Sequence, residues 1–132
     1  SVLEPPAEDG GLIIGDIESV ANPYILQSHQ IGAIITVSRE LSHISFPPNV
    51  NHLVLPIDDS HSIDISQFFA QAIDFISANR KFTNVLVHCR VGASRSATLV
   101  LAYLMKEYGM HLNESFSFLK EKDGKFSQIM DL

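Results

Sequence analysis

The chain is poor in cysteine: Cys89 is the single thiol among 132 residues. One thiol cannot close an internal disulfide, and thiolate metal centres need several, so a disulfide-stabilised secreted fold and a cysteine-rich metal site are both excluded. A solitary cysteine is ordinarily a small buried hydrophobe. Cys89 is therefore either an inert core residue or a group with chemistry of its own.

Positive charge is also scarce. The chain carries 9 lysines and arginines against 15 aspartates and glutamates, which gives a formal net charge of −6. An overall negative field repels polyanions, so we expect neither nucleic acid nor an acidic membrane surface as a partner. The charge still allows an anionic substrate such as a phosphorylated one, but its attraction has to come from a local site.

Long apolar runs are missing too. No run approaches the roughly 20 residues that span a bilayer, and no charged-then-apolar leader opens the sequence. A hydrophobic content of 45% over 132 residues fits one compact domain with its own core. We expect a flexible entry segment over 1–11, a single domain over 12–132, and a cytoplasmic or nuclear location.

Apolar β-rich runs alternate with helix-length segments along the rest of the chain. The runs lie at 12–14, 33–37, 52–55 and 85–87. Buried parallel strands read as short continuous apolar runs, and the helices between them act as crossovers. The pattern predicts an α/β fold with a twisted, mostly parallel sheet of about four to five strands and helices on both faces.

Capping residues and apolar stripes mark the helices. Asn22 is a cap followed by proline at the first helical position, and Gly109 offers a left-handed stop after a long apolar helix. Asn113 is predicted to cap the helix that comes next. The predicted helices cover 22–30, 66–79, 96–108, 113–122 and 126–132.

The loop between the last apolar run and the helix at 96–108 is the most informative part of the sequence. Backbone N–H groups of such a loop and of the first helical turn point inward and form an anion site, which the helix dipole strengthens. A glycine in the loop lets the backbone approach a ligand closely. Phosphate is the expected ligand, bound by Arg90, Val91, Gly92, Ala93, Ser94 and Arg95, with a plain loop cation that does not contact the substrate as the alternative interpretation of Arg90.

Cys89 opens this loop and meets the same positive potential, which stabilises thiolate over thiol and makes the sulfur a nucleophile. Arg95 stands six positions further on. Its planar fork can bind two phosphate oxygens there, a geometry that lysine lacks. Ser96 is predicted to hydrogen-bond the sulfur and improve it as a leaving group. His88 precedes the nucleophile and is expected to support the loop from below.

A phosphate ester releases its alcohol only if the departing oxygen receives a proton, which calls for a carboxylic acid opposite the nucleophile. Asp58 and Asp59 follow the run at 52–55. Loops at the carboxyl ends of neighbouring parallel strands lie side by side, although acids after a strand are also common as solvated turn residues. Asp59 is the preferred candidate and Asp58 the alternative.

The remaining histidines show no metal-ligand spacing. We take them as surface or loop residues: His29, His43, His52, His61 and His111. Neither a metal nor another cofactor is expected.

With these residues in place, the chain resembles the dual-specificity branch of the protein tyrosine phosphatases. The motif of that branch is His-Cys, five residues, then Arg followed by Ser or Thr, and residues 88–96 match it throughout. The runs at 57–60 and 102–105, with Phe68 and Phe69 between them, are also typical of the branch. The resemblance therefore covers nearly the whole chain.

Carried over residue by residue, the resemblance implies catalytic roles for Cys89, Arg95, Asp59 and Ser96. It favours Asp59 over Asp58 because of the register relative to Phe68. It also implies a phosphocysteine intermediate and a shallow pocket that admits phosphoserine and phosphothreonine as well as phosphotyrosine in protein substrates. One departure, the absence of an Arg-Pro segment near 120–124, concerns the packing of the carboxyl end and not the chemistry.

Other classes share parts of this pattern. Rhodanese-type sulfurtransferases also place a cysteine between strand and helix, but Arg95 and the upstream acid favour a phosphatase. Low-molecular-weight phosphatases have the nucleophile near the amino terminus, the reverse of the order here. A phosphoprotein-binding module usually lacks the cysteine, and inositol-lipid or RNA phosphatases tend to add lysines to a loop that here has Arg90 as its one extra cation.

Overall fold

One five-stranded sheet forms the centre of the molecule. The computed structural model describes residues 9–15, 20, 22–41, 44–57, 64–89, 95–121 and 127–130. The strands are β1 (Leu12–Gly15), β2 (Ile31–Val37), β3 (Asn51–Leu55), β4 (Asn84–His88) and β5 (Ser127–Met130). They lie in the order β3-β2-β4-β1-β5, with the first four parallel and β5 antiparallel to β1. The predicted α/β fold with a mostly parallel sheet is confirmed.

Four α-helices belong to the described part of the chain. They are α1 (Pro23–Ser28), α2 (Phe69–Arg80), α3 (Arg95–Tyr108) and α4 (Leu112–Glu121), with a 3-10 turn (Ile65–Phe68) leading into α2. The Asn22 side chain caps α1 by accepting a hydrogen bond from the backbone N–H of Tyr24 at 2.9 Å. Gly109 ends α3 at a φ of +64°, a conformation that glycine adopts without strain.

The amino-terminal end of α4 differs from the prediction. Because the helix begins at Leu112, Asn113 lies inside its first turn and cannot be its cap. The carboxylate of Glu114 reaches back instead and accepts a hydrogen bond from the backbone N–H of His111 at 3.0 Å. An acid at this position satisfies a backbone donor that the helix itself leaves unpaired and also complements the helix dipole.

The carboxyl-terminal segment is a strand where the sequence pattern predicts a helix over 126–132. Ser127–Met130 forms β5 and pairs with β1, with a shift in register between Leu12 and Ile13. The helical periodicity of this segment is a local pattern and contains no information about its pairing with β1. Without β5, the outer row of backbone N–H and C=O groups of β1 would form an unpaired sheet edge.

The two faces of the sheet carry separate apolar clusters. On β4, Val85 and Val87 point towards a large cluster that includes buried residues of α2 and α3, and partly buried residues of α4 pack against it. Leu86 points to the opposite face, where Leu26 of α1 packs. Alternation along the strand thus places helices on both faces, as predicted, and sets the side on which each residue at the end of β4 points.

Arg80, at the end of α2, is buried with its charge. It is 3% exposed, and its Nε donates to the carbonyl of Gly10 at 2.6 Å. Its NH1 donates to the hydroxyls of Tyr103 at 2.7 Å and Tyr108 at 2.6 Å. Desolvation raises the pKa of Tyr103, which keeps that hydroxyl protonated. Arg80 therefore ties the segment before β1 to two turns of α3.

Tyr103→Phe is expected to lower the free energy of unfolding by about 1–3 kcal/mol, since it leaves a buried guanidinium N–H short of an acceptor. Tyr24 is 75% exposed, and Tyr24→Phe is a matched control with an expected change within about 0.5 kcal/mol. Urea denaturation of both variants measures the difference. Equal stability of the two variants contradicts a stabilising role for the Arg80 contacts.

Candidate active site

The candidate site lies at the carboxyl end of β4, the central strand of the sheet. β4 ends at His88, Cys89 follows directly, and α3 begins at Arg95. The predicted phosphate-binding residues 90–94 lie outside the described residues. In open α/β sheets, ligands bind in crevices at the carboxyl ends of the strands. Cys89 therefore lies between a strand and a helix, as the sequence predicts.

Cys89 is 5% exposed and belongs to the large apolar cluster. Its Sγ lies 3.2 Å from the hydroxyl oxygen of Ser96, which is itself 4% exposed. When the sulfur is ionised, the hydroxyl is the donor of this hydrogen bond. Ser96 is thus on the first turn of α3 with its hydroxyl against the sulfur, the arrangement that a leaving-group role requires.

Arg95 is folded into the protein and is 7% exposed. Its NH1 donates a hydrogen bond to the backbone carbonyl of Ile57, the second residue after β3. The same NH1 lies 3.6 Å from Oε2 of Glu40, which follows β2. The arginine therefore connects the carboxyl ends of three neighbouring strands.

The backbone around Ile57 leads to the predicted general acid. Asp58 and Asp59 themselves lie outside the described residues. The carbonyl of Ile57, directly before them, accepts hydrogen bonds from NH1 of Arg95 and from the backbone N–H of Arg39 at 3.3 Å. The chain thus contacts the arginine one residue before it reaches the two acids.

Glu40 is a residue of the candidate site that the sequence pattern does not single out. Its carboxylate accepts a hydrogen bond from the hydroxyl of Ser38 and pairs with Arg95, while its side chain is 38% exposed. The pKa of Glu40 is lowered by the hydrogen bond from the Ser38 hydroxyl, by the backbone N–H of Glu40 and, less strongly, by the charge of Arg95. The signal that selects Asp58 and Asp59, an acid just after a parallel strand, applies equally to Glu40 after β2.

His88 belongs to a chain of hydrogen bonds beneath the site. The hydroxyl of Thr36 lies 2.7 Å from Nε2 of buried His88 and 2.7 Å from Nε2 of His52. A hydroxyl has one hydrogen, so Thr36 donates to one imidazole and accepts from the other. The interpretation of His52 as a surface or loop residue is wrong, because it lies on β3 and packs against Phe46. Burial lowers the pKa of His52.

The described residues contain neither a cluster of metal ligands nor a helix of membrane-spanning length. No group of three His, Cys, Asp or Glu side chains there is arranged to hold a metal ion. Within the same ranges, no helix has the length and apolar character needed to cross a membrane.

The arrangement of strand, cysteine and helix identifies the kind of molecule. A mostly parallel sheet whose central strand leads directly into the cysteine, with the arginine at the start of the following helix, is the architecture of cysteine-dependent phosphatases. The model of the family "Dual specificity phosphatase, catalytic domain" matches residues 12–132. The chain belongs to this family, as the resemblance in the sequence indicates.

Known relatives and solved structures agree with this assignment. Dual specificity protein phosphatase 1 of Arabidopsis thaliana is 35% identical over 119 residues, which cover 89% of this chain and 60% of the relative. The chain therefore spans less than two-thirds of that protein. The crystal structure of DUSP15 matches with a TM-score of 0.78 and 27% identity, over 89% of this chain and 74% of that one. The human tyrosine phosphatase-like serine/threonine/tyrosine-interacting protein matches with a TM-score of 0.74 and 33% identity, over 84% and 78%.

Proposed function

We propose that the chain is a protein phosphatase that hydrolyses phosphotyrosine and phosphoserine or phosphothreonine esters through a phosphocysteine intermediate. The observation that carries the proposal is the 3.2 Å contact between Sγ of Cys89 and the hydroxyl of Ser96 beside a buried Arg95. An inert core cysteine needs neither partner. Membership of the dual specificity phosphatase family supports the same conclusion.

In the first step, the Cys89 thiolate attacks phosphorus and forms the S–P bond. The P–O ester bond breaks, its electron pair passes to the leaving oxygen, and the carboxylic acid of Asp59 supplies the proton that this oxygen takes. Arg95 and the amides of 90–94 bind the three equatorial oxygens, whose charge needs stabilisation in the transition state. No metal takes part in this proposal.

In the second step, water attacks the phosphocysteine. The Asp59 carboxylate takes a proton from the water, the S–P bond breaks, and the electron pair returns to the sulfur as thiolate. The Ser96 hydroxyl, within hydrogen-bonding distance of that sulfur, stabilises the returning charge. His88 supports the backbone that leads into Cys89, and its hydrogen bond to Thr36 is consistent with this role.

A phosphoprotein-binding module is the second candidate function. One solved relative carries a name that describes it as tyrosine phosphatase-like and as an interacting protein. Retention of Cys89 favours hydrolysis over binding alone. The two functions differ in whether inorganic phosphate is released from a bound phosphopeptide.

The partner that we propose is a phosphorylated protein within a signalling pathway of the cytoplasm or nucleus. The negative formal charge of the chain argues against nucleic acid and acidic membrane surfaces as general partners. A single cysteine, Cys89, that has to remain reduced for catalysis is consistent with a reducing compartment.

A phosphate-release assay tests the proposal. One peptide sequence carrying phosphotyrosine, phosphothreonine or phosphoserine is compared with a phosphoinositide, a 5′-phosphorylated RNA and para-nitrophenyl phosphate. We expect release from para-nitrophenyl phosphate, from phosphotyrosine and from at least one of the two aliphatic phosphopeptides. Release from phosphotyrosine alone contradicts dual specificity, and much faster release from the lipid or RNA contradicts a protein substrate. Tight peptide binding without release supports the binding module.

A further inference from the structure

The contacts of Arg95 define which edge of its guanidinium faces the protein. NH1 has two hydrogens, and among the described residues it contacts the carbonyl of Ile57 and the carboxylate of Glu40. A guanidinium binds a tetrahedral oxyanion through two parallel N–H groups on one edge. With NH1 directed at these two acceptors, the edge made by Nε and NH2 is the one that can serve phosphate.

The carboxylate of Glu40 is held in place independently of Arg95. The hydroxyl of fully buried Ser38 donates to its Oε2. The next residue, Arg39, is joined through its backbone N–H to the same Ile57 carbonyl that Arg95 uses. The Glu40 carboxylate and the Ile57 carbonyl are therefore both held by residues of the turn that follows β2. Neither has to move when a phosphate arrives, which is the condition for preorganised binding.

We propose that Glu40 is a positioning residue of the phosphatase site, which together with the Ile57 carbonyl holds NH1 of Arg95 so that the Nε–NH2 edge faces the phosphate. This inference rests on the proposed function. Glu40 acts through Arg95 and touches no substrate atom.

Two other roles for Glu40 make different predictions. As a competing anion, the carboxylate would occupy the arginine in place of phosphate, and its removal would tighten anion binding. As a general acid, it would have to carry a proton near neutral pH. Its lowered pKa keeps it ionised there, which is suited to holding a guanidinium and unsuited to proton donation.

Binding of tungstate, a tetrahedral dianion that is not hydrolysed, separates positioning from competition. In isothermal titration, Glu40→Ala is expected to bind tungstate about three- to tenfold more weakly than wild type, as for the loss of a partly exposed charge-assisted contact. Glu40→Gln keeps an acceptor oxygen for NH1 and is expected to lose less. Ser38→Ala, which releases the carboxylate, is expected to weaken binding in the same direction.

Glu107→Gln is the matched control. Glu107 is exposed near the end of α3, about 18 Å along the helix from Arg95. Its substitution by glutamine removes one negative charge from the chain at a position distant from the candidate site. Tungstate affinity of this variant is expected to stay within about twofold of wild type. Unchanged or tighter binding by Glu40→Ala overturns the positioning role, and so does an equal loss in Glu107→Gln.

A leaving-group series separates positioning from proton donation. Glu40→Ala is expected to lower kcat/KM for para-nitrophenyl phosphate and phenyl phosphate by the same factor, because phosphate binding does not depend on the leaving group. A larger loss on phenyl phosphate makes Glu40 an acid and overturns the proposal. A wild-type chain that binds no tungstate overturns both proposals, whereas tungstate binding without hydrolysis, together with weaker binding by Glu40→Ala, overturns the proposed function alone.

Discussion

Cys89→Ser is expected to reduce turnover of para-nitrophenyl phosphate by roughly 10⁴-fold or more, the scale seen when a catalytic nucleophile is removed. A serine hydroxyl is not ionised near neutral pH by the potential that stabilises a thiolate, so no nucleophile of comparable strength remains. The partners that bind phosphate are unchanged. Tungstate affinity is therefore expected to stay within about threefold of wild type.

Both quantities are measured on the same preparation. Loss of turnover together with loss of tungstate binding indicates that the site has collapsed. Urea denaturation then shows whether the fold is intact. Ser77→Ala is a matched control, since Ser77 is a hydroxyl residue on α2 outside the candidate site, and its turnover is expected to equal that of wild type. Substantial turnover in Cys89→Ser contradicts a cysteine nucleophile.

Asp59→Ala is expected to lower kcat by about 10²- to 10⁴-fold, the usual contribution of a general acid and base. The loss is expected to be larger for phenyl phosphate than for para-nitrophenyl phosphate, because the poorer leaving group depends more on protonation. KM is expected to change little. The effect is measured as kcat for both substrates across a pH series. The fall in kcat at higher pH that reports deprotonation of the acid is expected to vanish.

Asp58→Ala is the control for this prediction, as it removes the neighbouring carboxylate and leaves the chain otherwise unchanged. We expect its kcat to stay within about threefold of wild type, as for a solvated turn residue. An impaired Asp58→Ala beside an unimpaired Asp59→Ala assigns the acid to Asp58. If both variants hydrolyse phenyl phosphate normally, neither aspartate is the acid.

The sequence predicts the site where its residues are close along the chain. Cys89, Arg95 and Ser96 lie within one strand–loop–helix unit, so a single short pattern places all three at the carboxyl end of β4. The same holds for the strands, since buried parallel strands are apolar throughout and need no partner to be recognised. Local sequence patterns are sufficient to predict these features.

What the sequence misses depends on contacts between distant segments. Glu40 meets Arg95 across 55 positions, and His52 approaches His88 only because Thr36 of β2 lies between β3 and β4 in the sheet. The strand Ser127–Met130 owes its conformation to pairing with β1 at the other end of the chain. None of these partners is visible in a window of ten or twenty residues.

The order of the strands explains why one arginine joins so many parts of the site. β4 lies beside β2, and β2 lies beside β3, all in the same direction. Their carboxyl ends consequently deliver Cys89, Glu40 and Ile57 to one edge of the sheet. Arg95, at the start of the helix that follows β4, contacts both Ile57 and Glu40 from there.

Detection of the covalent intermediate is the most direct test of a cysteine-dependent mechanism. Ser96→Ala is expected to slow breakdown of the phosphocysteine, so this variant is mixed with para-nitrophenyl phosphate, quenched in acid and analysed by peptide mass spectrometry. The account predicts a phosphoryl group on the peptide that contains Cys89, at a higher steady-state level than in wild type. Steady hydrolysis with no phosphoryl group on that peptide, or with one attached to another residue, contradicts it.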